Sequence, residues 1–321
     1  MLHSFCLKHT KLMKEYQNRG PIKISPMSIL WLVTFIWAFS FSLIGVYLSD
    51  HVNSYLAVFI RVQIALALLL PFFRPHNMAW NKLLALVAIG GIQVGATYLF
   101  LYHAFAYLTV PEVLLFTILT PLWITLIDEF IIGRRRLPLR WWLAAGIAVL
   151  GAAVIRYNGI NNHALSGFML IQGANLCFAI GQVAYKRLPL GNIRQQSQVF
   201  ACFFLGASLV SGIGVILFGE WHIQTITLSQ WLVLIWLGIG ASAFGYLAWS
   251  LAIKQVNTGQ VATMNNMLIP VGILVNYVFW HSDIQWFRFI IGAAMIVLSV
   301  WLCSQSKVNN HTIVEENNAP L

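Results

Sequence analysis

The sequence is poor in charged residues. Only 9% of its 321 residues are charged and 59% are hydrophobic, whereas a soluble domain carries about 25% charged residues. A water-soluble fold of this size could not bury that much apolar surface. The composition therefore excludes a soluble globular protein and indicates an integral membrane protein whose surroundings are the lipid bilayer.

The sequence also lacks the motifs of several common enzyme classes. It contains no GxxxxGK[ST] phosphate-binding loop, no HExxH zinc motif and no GxSxG nucleophile motif. Its four cysteines, Cys6, Cys177, Cys202 and Cys303, form no CxxC pair, so neither a disulfide framework nor a zinc site is indicated. We expect no enzymatic activity, no catalytic residues, no metal site and no cofactor.

What the sequence does contain is long apolar runs. They are about 20 residues long, the length of helix that crosses about 30 Å of hydrocarbon. Ten such runs predict an all-α integral membrane protein with ten transmembrane helices. We expect a basic cytoplasmic extension over residues 1–27 and a disordered cytoplasmic tail over 304–321. The predicted helices are 28–48, 54–73, 83–107, 111–132, 141–155, 165–185, 198–218, 230–253, 258–280 and 286–303.

The net charge of +10 indicates topology rather than nucleic-acid binding. With ten helices and a cytoplasmic N-terminus, 16 of the 19 Lys and Arg residues fall on the cytoplasmic side. Only Arg156 and Arg288 fall on the opposite side, and Arg61 lies inside a predicted helix. Because cytoplasmic loops are enriched in Lys and Arg, we expect both termini in the cytoplasm and no nucleic-acid partner.

The two halves of the chain are weakly similar. At a shift of 148 or 149 residues Tyr98 aligns with Tyr246 and Pro121 with Pro270. Because each half holds five predicted helices, an odd number, the second half must be inserted upside down relative to the first. Inverted repeats are common in secondary carriers, whose substrate site lies between the repeats near the midplane. Chance similarity between apolar segments is the alternative. The expected repeats are residues 28–155 and 165–303.

Arg61 is the most unusual residue of the sequence, because it lies about a third of the way into the second predicted helix. A central arginine costs at least about 2.5–3.5 kcal/mol on insertion into a membrane. Three explanations are open. The arginine could form a structural ion pair, could extend its charge to the membrane surface, or could bind an anionic group of a ligand.

Other polar and aromatic residues lie inside predicted helices, where polar side chains usually face protein or a water-filled cavity. Gln172, Asn175 and Gln182 share one face of the sixth helix. This face could line a cavity or form hydrogen bonds to neighbouring helices. We expect kinks at Pro121 and Pro270, because proline removes a backbone donor. We expect helices 1, 3, 4, 6, 8 and 9 to line a cavity, with 5 and 10 peripheral. The candidate substrate-binding residues are Trp37, Arg61, Tyr98, Gln182, Tyr246, Trp249, Asn265 and Asn266.

Two titratable residues are candidates for coupling transport to a proton gradient. His103 has a side chain whose unperturbed pKa lies near 6.5, although a hydrogen-bonded structural histidine is the alternative. Glu112 follows Pro111 at the start of the fourth helix, where an acidic residue also stabilises the helix dipole. Asp128 and Glu129 precede three arginines at the other end of that helix, where charge pairing is expected.

Five stretches resemble the EamA-type carriers of the drug/metabolite transporter superfamily, and the resemblance extends over roughly residues 27–303. Within this family they are most similar to members that take up biotin. The basic extension and Pro111 depart from the family pattern. The stretches are ILWLVTFIWAFSFSLIGVYL (29–48), HVNSYLAVFIRV (51–62), YLTVPEVLLFTILTPLWITLI (107–127), FAIGQVAYKRL (178–188) and MNNMLIPVGILVNYVFWH (264–281).

The resemblance implies a secondary transporter of the bacterial inner membrane that takes up biotin or a similar small carboxylate. Such a substrate needs one cation, a few amides and aromatic side chains around it. Arg61 would pair with the carboxylate, and Asn265, Asn266 and Gln182 would bind the ureido group. Export of amino acids, amines or drugs on the same fold is the alternative, and an intramembrane enzyme for lipid-linked substrates is a third hypothesis. The oligomeric state stays open.

Overall fold

The computed structural model describes residues 25–49, 51–75, 78–128, 139–156, 164–221, 223–281 and 286–304. Its regular secondary structure is helical throughout these ranges, which confirms the predicted all-α class. The predicted basic extension and disordered tail lie outside the described residues, apart from the few residues that adjoin the first and last helices.

We number the helices in chain order and join segments that continue one another through a π or 3₁₀ turn. Within the described residues seven of them, α1, α2, α3, α6, α7, α8 and α9, are long and apolar enough to cross a membrane. The helices are α1 (Pro26–Leu48), α2 (Ser54–Phe72), α3 (Trp80–Ala104), α4 (Val110–Leu126), α5 (Leu139–Arg156), α6 (Ala164–Arg187), α7 (Ile193–Phe218), α8 (Leu228–Ile253), α9 (Gly259–Trp280) and α10 (Trp286–Ser304).

The start of α7 differs from the start predicted from hydropathy. The helix begins at Ile193, well before the predicted residue 198. Asn192 accepts a hydrogen bond from the backbone of Gln195, whose side chain bonds back to the backbone of Asn192. This capping box satisfies backbone donors in a polar first turn. An apolar run does not mark such a turn, so the sequence prediction began too late.

Corresponding helices of the two halves contain a π turn at the same place. In α3 the turn is Gly91–Ala96, and in α8 it is Leu237–Phe244. A π turn leaves backbone carbonyls without their usual partners and is frequent at functional sites. Each half therefore offers a short stretch of helix that can accept hydrogen bonds from its neighbours.

The helices that contain a central proline are both interrupted just before it. A 3₁₀ turn, Thr117–Leu119, precedes Pro121 in α4. In α9 the helix breaks at Met267, shortly before Pro270. Proline cannot donate a backbone hydrogen bond and crowds the preceding turn, so each interruption has a local cause in the sequence.

Helix packing follows the same pattern in both halves. α3 packs against α6 and α7, and α8 packs against α1 and α2. Glycines allow two of these close contacts. A Cβ on Gly90 of α3 would lie 1.8 Å from the carbonyl oxygen of Phe203 in α7. A Cβ on Gly238 of α8 would lie 3.1 Å from the carbonyl oxygen of Arg61 in α2. α4 packs against α9, and α5 packs against α10. Helices of the first half therefore pack against helices of the second half in the middle of the molecule.

Candidate functional site

A cavity lies among the helices in the middle of the molecule. Its space, part of which is open to solvent, is about 650 Å³. The six helices predicted to line it do so, and α2 adds Arg61. No described residue of α5 or α10 lines it. The lining residues are Trp37, Ser40, Phe41, Arg61, Thr97, Tyr98, Leu101, Thr117, Thr120, Ile171, Ala174, Asn175, Phe178, Tyr246, Asn265 and Leu268.

Arg61 is buried beside this cavity with 1% of its surface exposed. Its Nε donates to Ser242 Oγ at 2.7 Å, one terminal nitrogen to the Tyr102 hydroxyl at 3.3 Å, and the other to Ser40 Oγ at 3.4 Å. Its Cζ lies 4.1 Å from the centre of the Tyr98 ring. The guanidinium therefore does not extend to the membrane surface.

The partners of Arg61 are all uncharged. No carboxylate in the described part of the chain pairs with it, and the ion pair found there joins Arg187 to Asp128. A buried charge without a counter-charge is costly, because the apolar surroundings replace water without neutralising it. A negatively charged ligand in the cavity would offset this cost.

Aromatic rings line the cavity near Arg61. The ring of Trp37 lies 5.0 Å from that of Tyr246 and 5.9 Å from that of Phe178. Behind it, Trp249 packs against Trp37 at 4.8 Å. The indole nitrogen of Trp37 donates to the carbonyl oxygen of Ala241 at 3.0 Å, inside the π turn of α8. The π turn thus orients an aromatic surface for an apolar ring.

Amide side chains bind the interrupted stretch of α4. Gln172 Nε2 and Asn175 Nδ2 both donate to the carbonyl oxygen of Phe116, at 3.1 and 3.0 Å. Asn266 Nδ2 donates to the carbonyl oxygen of Ile118 at 3.1 Å. Carbonyls that the broken helix cannot satisfy are therefore satisfied by α6 and α9.

Five of the eight predicted substrate-binding residues line the cavity, and three lie behind it. Trp249 donates from Nε1 to Gln182 Oε1 at 2.7 Å, and both side chains are 1% exposed. Asn266 is fully buried against α4. Direct substrate contact by these three stays a prediction, and the observed geometry gives each of them a supporting contact. Lining the cavity are Trp37, Arg61, Tyr98, Tyr246 and Asn265.

The two residues predicted to couple transport to protons do not line the cavity. His103 Nδ1 lies 2.7 Å from the carbonyl oxygen of Leu99, and its ring packs 4.3 Å from that of Tyr55. Glu112 Oε2 accepts hydrogen bonds of 2.8 Å from the backbone and from the hydroxyl of Thr109. Both therefore have local structural contacts, and coupling by either residue stays a prediction.

The hydroxyls around the cavity are not among the predicted site residues. Ser40, Tyr102 and Ser242 contact Arg61, and Thr117 and Thr120 line the cavity. Serine and threonine are common in membrane helices, so their presence alone carries no signal.

The far ends of α4 and α6 are joined by charge. Arg187 donates from Nε to Asp128 Oδ1 at 2.8 Å, and from a terminal nitrogen to the same oxygen. The predicted partners of Asp128, the arginines at 134–136, lie outside the described residues. Nearby, Lys254 Nζ donates to the carbonyl oxygen of Leu188, and burial lowers the pKa of Lys254 to about 8. These contacts connect α4, α6 and α8 at the end of the bundle where α6 and α8 end.

A family model matches the chain twice, at residues 25–157 and 165–305, and its description is the EamA-like transporter family. The chain belongs to this family. It is thus a multi-pass membrane transporter and not an enzyme, and the resemblance found in the sequence is confirmed.

Curated relatives include the biotin transporters of Salmonella typhimurium strain LT2 and Escherichia coli strain K12. The chain is 45% identical to the first over 278 residues and 43% identical to the second over 276, covering 86% of this chain and 92% of each relative. It is 44% identical to the probable biotin transporter of Pseudomonas aeruginosa over 279 residues, 86% of this chain and 96% of the relative. One crystal structure matches with a TM-score of 0.68 at 19% identity, covering 86% of this chain and 96% of that one, which shows a shared fold.

Proposed function

We propose that this protein takes up biotin, or a similar small carboxylate, across the bacterial inner membrane as a secondary transporter. Arg61 is the observation that carries the proposal. A guanidinium has five N–H donors, and the three contacts of Arg61 leave two of them without an acceptor among the described residues. A carboxylate would accept both in a charge-assisted pair and neutralise the buried charge.

The rest of the cavity has the groups that the other parts of such a substrate need. Asn175, Asn265 and Thr120 provide amide and hydroxyl groups for a ureido ring, and Trp37 and Tyr246 provide aromatic faces for an apolar ring. The 43–45% identity to proteins named biotin transporters supports this substrate.

We propose further that the chain has ten transmembrane helices, arranged as inverted repeats over residues 28–155 and 165–303, with both termini in the cytoplasm. The matching π turns and helix packing support this arrangement, as do the two matches to one family model. Reporter fusions at Arg135 and Trp221 would test it, with cytoplasmic and external signals expected. Equal signals at both sites would contradict the topology.

The test of the function is uptake of radiolabelled biotin. Cells of a biotin-auxotrophic strain that carry the gene should grow at biotin concentrations too low for cells without it. Membrane vesicles should accumulate the label, and unlabelled biotin should compete better than biotinol, in which an alcohol replaces the carboxylate. Absence of uptake, together with loss of preloaded amino acids or amines from the vesicles, would favour an exporter instead.

A further inference from the structure

Gln93 has no hydrogen-bond partner for either amide atom among the described residues, although it is fully buried. It lies in the π turn of α3. Gln182 of α6 is 1% exposed, and its Nε2 also has no partner there. The orientation of the Gln182 amide is fixed, because its Oε1 accepts from Trp249 Nε1, a group that can only donate. Buried polar atoms are nearly always partnered, so this pair needs an explanation.

The two glutamines occupy neighbouring positions. A Cβ on Gly181 would lie 2.2 Å from the Cβ of Gln93, so α6 touches α3 at the residue directly before Gln182. Gln93 therefore lies against the residue before Gln182 where the two helices meet, and the two side chains have three unpartnered polar atoms among the described residues.

Contacts along α3 and α6 show on which side of the cavity this happens. A Cβ on Gly173 would lie 3.1 Å from the ring of Phe100, and the Thr97 hydroxyl lies 3.4 Å from the carbonyl oxygen of Ala174. The two helices are antiparallel, so residues that come earlier in α3 lie beside residues that come later in α6. Gln93 therefore lies beside Gly181. The glutamines therefore lie beyond the cavity, toward the end of α6 at which Arg187 binds Asp128.

We propose that Gln93 and Gln182 form a second binding position for the uncharged, hydrogen-bonding end of the substrate, a cyclic urea or an amide. The proposal rests on the proposed function, since the substrate must pass this level on its way through the protein. Gln93 Oε1 would accept from a ligand N–H, and the two Nε2 groups would donate to a ligand carbonyl.

This position would lower the barrier to passage. A urea group that leaves the cavity for an apolar core loses its hydrogen bonds, which is costly. Amides without other partners can replace those bonds at no cost to the folded structure. Removing them should therefore slow transport and leave binding in the cavity unchanged.

The test compares Gln93→Met and Gln182→Met with Gln63→Met as the control. Gln63 is a partnered glutamine, because its Nε2 donates to Ser208 Oγ at 2.7 Å. Thermal unfolding of the purified proteins and biotin uptake into proteoliposomes are measured for all three and for the unchanged protein. Gln182→Met also removes the acceptor of Trp249, so its uptake is expressed per folded molecule.

We expect Gln93→Met to unfold at the same or a higher temperature, because an unpartnered polar group is replaced by an apolar one of similar shape. Its maximal uptake rate should fall about tenfold with an unchanged KM. Gln63→Met should lower the unfolding temperature and keep the rate. A maximal rate within about twofold of the unchanged protein for Gln93→Met and Gln182→Met would overturn the proposal.

A second measurement separates this proposal from the proposed function. If the unchanged protein does not take up biotin, the proposed function fails. The glutamine position is then tested with 2-imidazolidinone, a cyclic urea without a carboxylate. This compound should raise the unfolding temperature of the unchanged protein more than that of Gln93→Met, which keeps only the amide and hydroxyl groups of the cavity. Equal shifts in the two proteins, or no shift in either, would reject the second binding position.

Discussion

Arg61 Nε donates to Ser242 Oγ at 2.7 Å, and this bond joins the two halves of the chain. Ser242 lies in the π turn of α8, and the hydroxyl of Tyr98 lies 3.2 Å from the same oxygen. Gly238, at the start of that turn, lets α8 approach the backbone of Arg61. An element of the second half therefore positions the cation of the first half.

Replacing Ser242 by alanine should weaken substrate binding through Arg61. The loss of one of its three hydrogen bonds makes the position of the guanidinium less well defined, so we expect KM to rise about three- to tenfold with little change in the maximal rate. Uptake kinetics normalised to the amount of protein in the membrane would show this. Ser242→Thr keeps the hydroxyl and should recover most of the affinity.

Ser211→Ala is the matched control for Ser242→Ala. Ser211 is a fully buried serine whose hydroxyl bonds the carbonyl oxygen of Ala207 in its own helix at 2.8 Å. We expect an unchanged KM for this variant. If both alanine variants raised KM equally, the positioning role of Ser242 would be excluded.

Replacing Arg61 itself should have the larger effect. Loss of a charge-assisted hydrogen bond costs roughly 1.5–3 kcal/mol, or about 10- to 150-fold in affinity. Arg61→Lys should recover little, because an ammonium cannot bind a carboxylate through two parallel bonds. The measurement is KM per molecule in the membrane for Arg61→Ala and Arg61→Lys. A purely structural arginine would lower the amount of protein and leave KM unchanged.

Asn265 and Asn266 are neighbours with different surroundings. Asn265 lines the cavity, and the bond of its side chain within the described residues runs to its own helix, from Nδ2 to the carbonyl oxygen of Val261 at 2.7 Å. Asn266 is fully buried and bonds Ile118 of α4. We expect Asn265→Ala to raise KM and keep the unfolding temperature, and Asn266→Ala to lower the unfolding temperature. The reverse assignment in paired kinetic and thermal measurements would contradict this distinction.

The sequence predicted the helical segments and singled out Arg61, because both predictions depend on solvation. An apolar run of membrane length must be helical, and a buried arginine is conspicuous wherever it occurs. The helix starts were less accurate where a polar first turn, as at Asn192, begins an apolar helix. Arg61 was recognised as a candidate, and its neutral partners argue against an ion pair within the described residues. Its role in binding an anionic group stays a prediction.

The remaining part of the site could not be predicted, because it depends on which carbonyls and hydroxyls meet across helices. The π turn that presents Ser242 and Ala241 has no sequence signature beyond an apolar, glycine-containing stretch. Gln182 and Asn266 were predicted to bind substrate, and that role stays a prediction. Their positions behind the cavity follow from helix rotation, which periodicity gives only approximately.

Close helix contact at the glycines gives a last prediction, about stability rather than transport. A Cβ on Gly90 would lie 1.8 Å from the carbonyl oxygen of Phe203, a backbone atom that cannot move aside. Gly90→Ala should therefore push α3 from α7 and destabilise the protein by about 1–3 kcal/mol, as overpacking does. Gly146 of α5 has nothing within 4 Å of such a Cβ, so Gly146→Ala should be neutral or stabilising by up to about 1 kcal/mol. Thermal unfolding of the two purified variants measures the difference. Equal unfolding temperatures would show that α3 and α7 are not in backbone contact at Gly90.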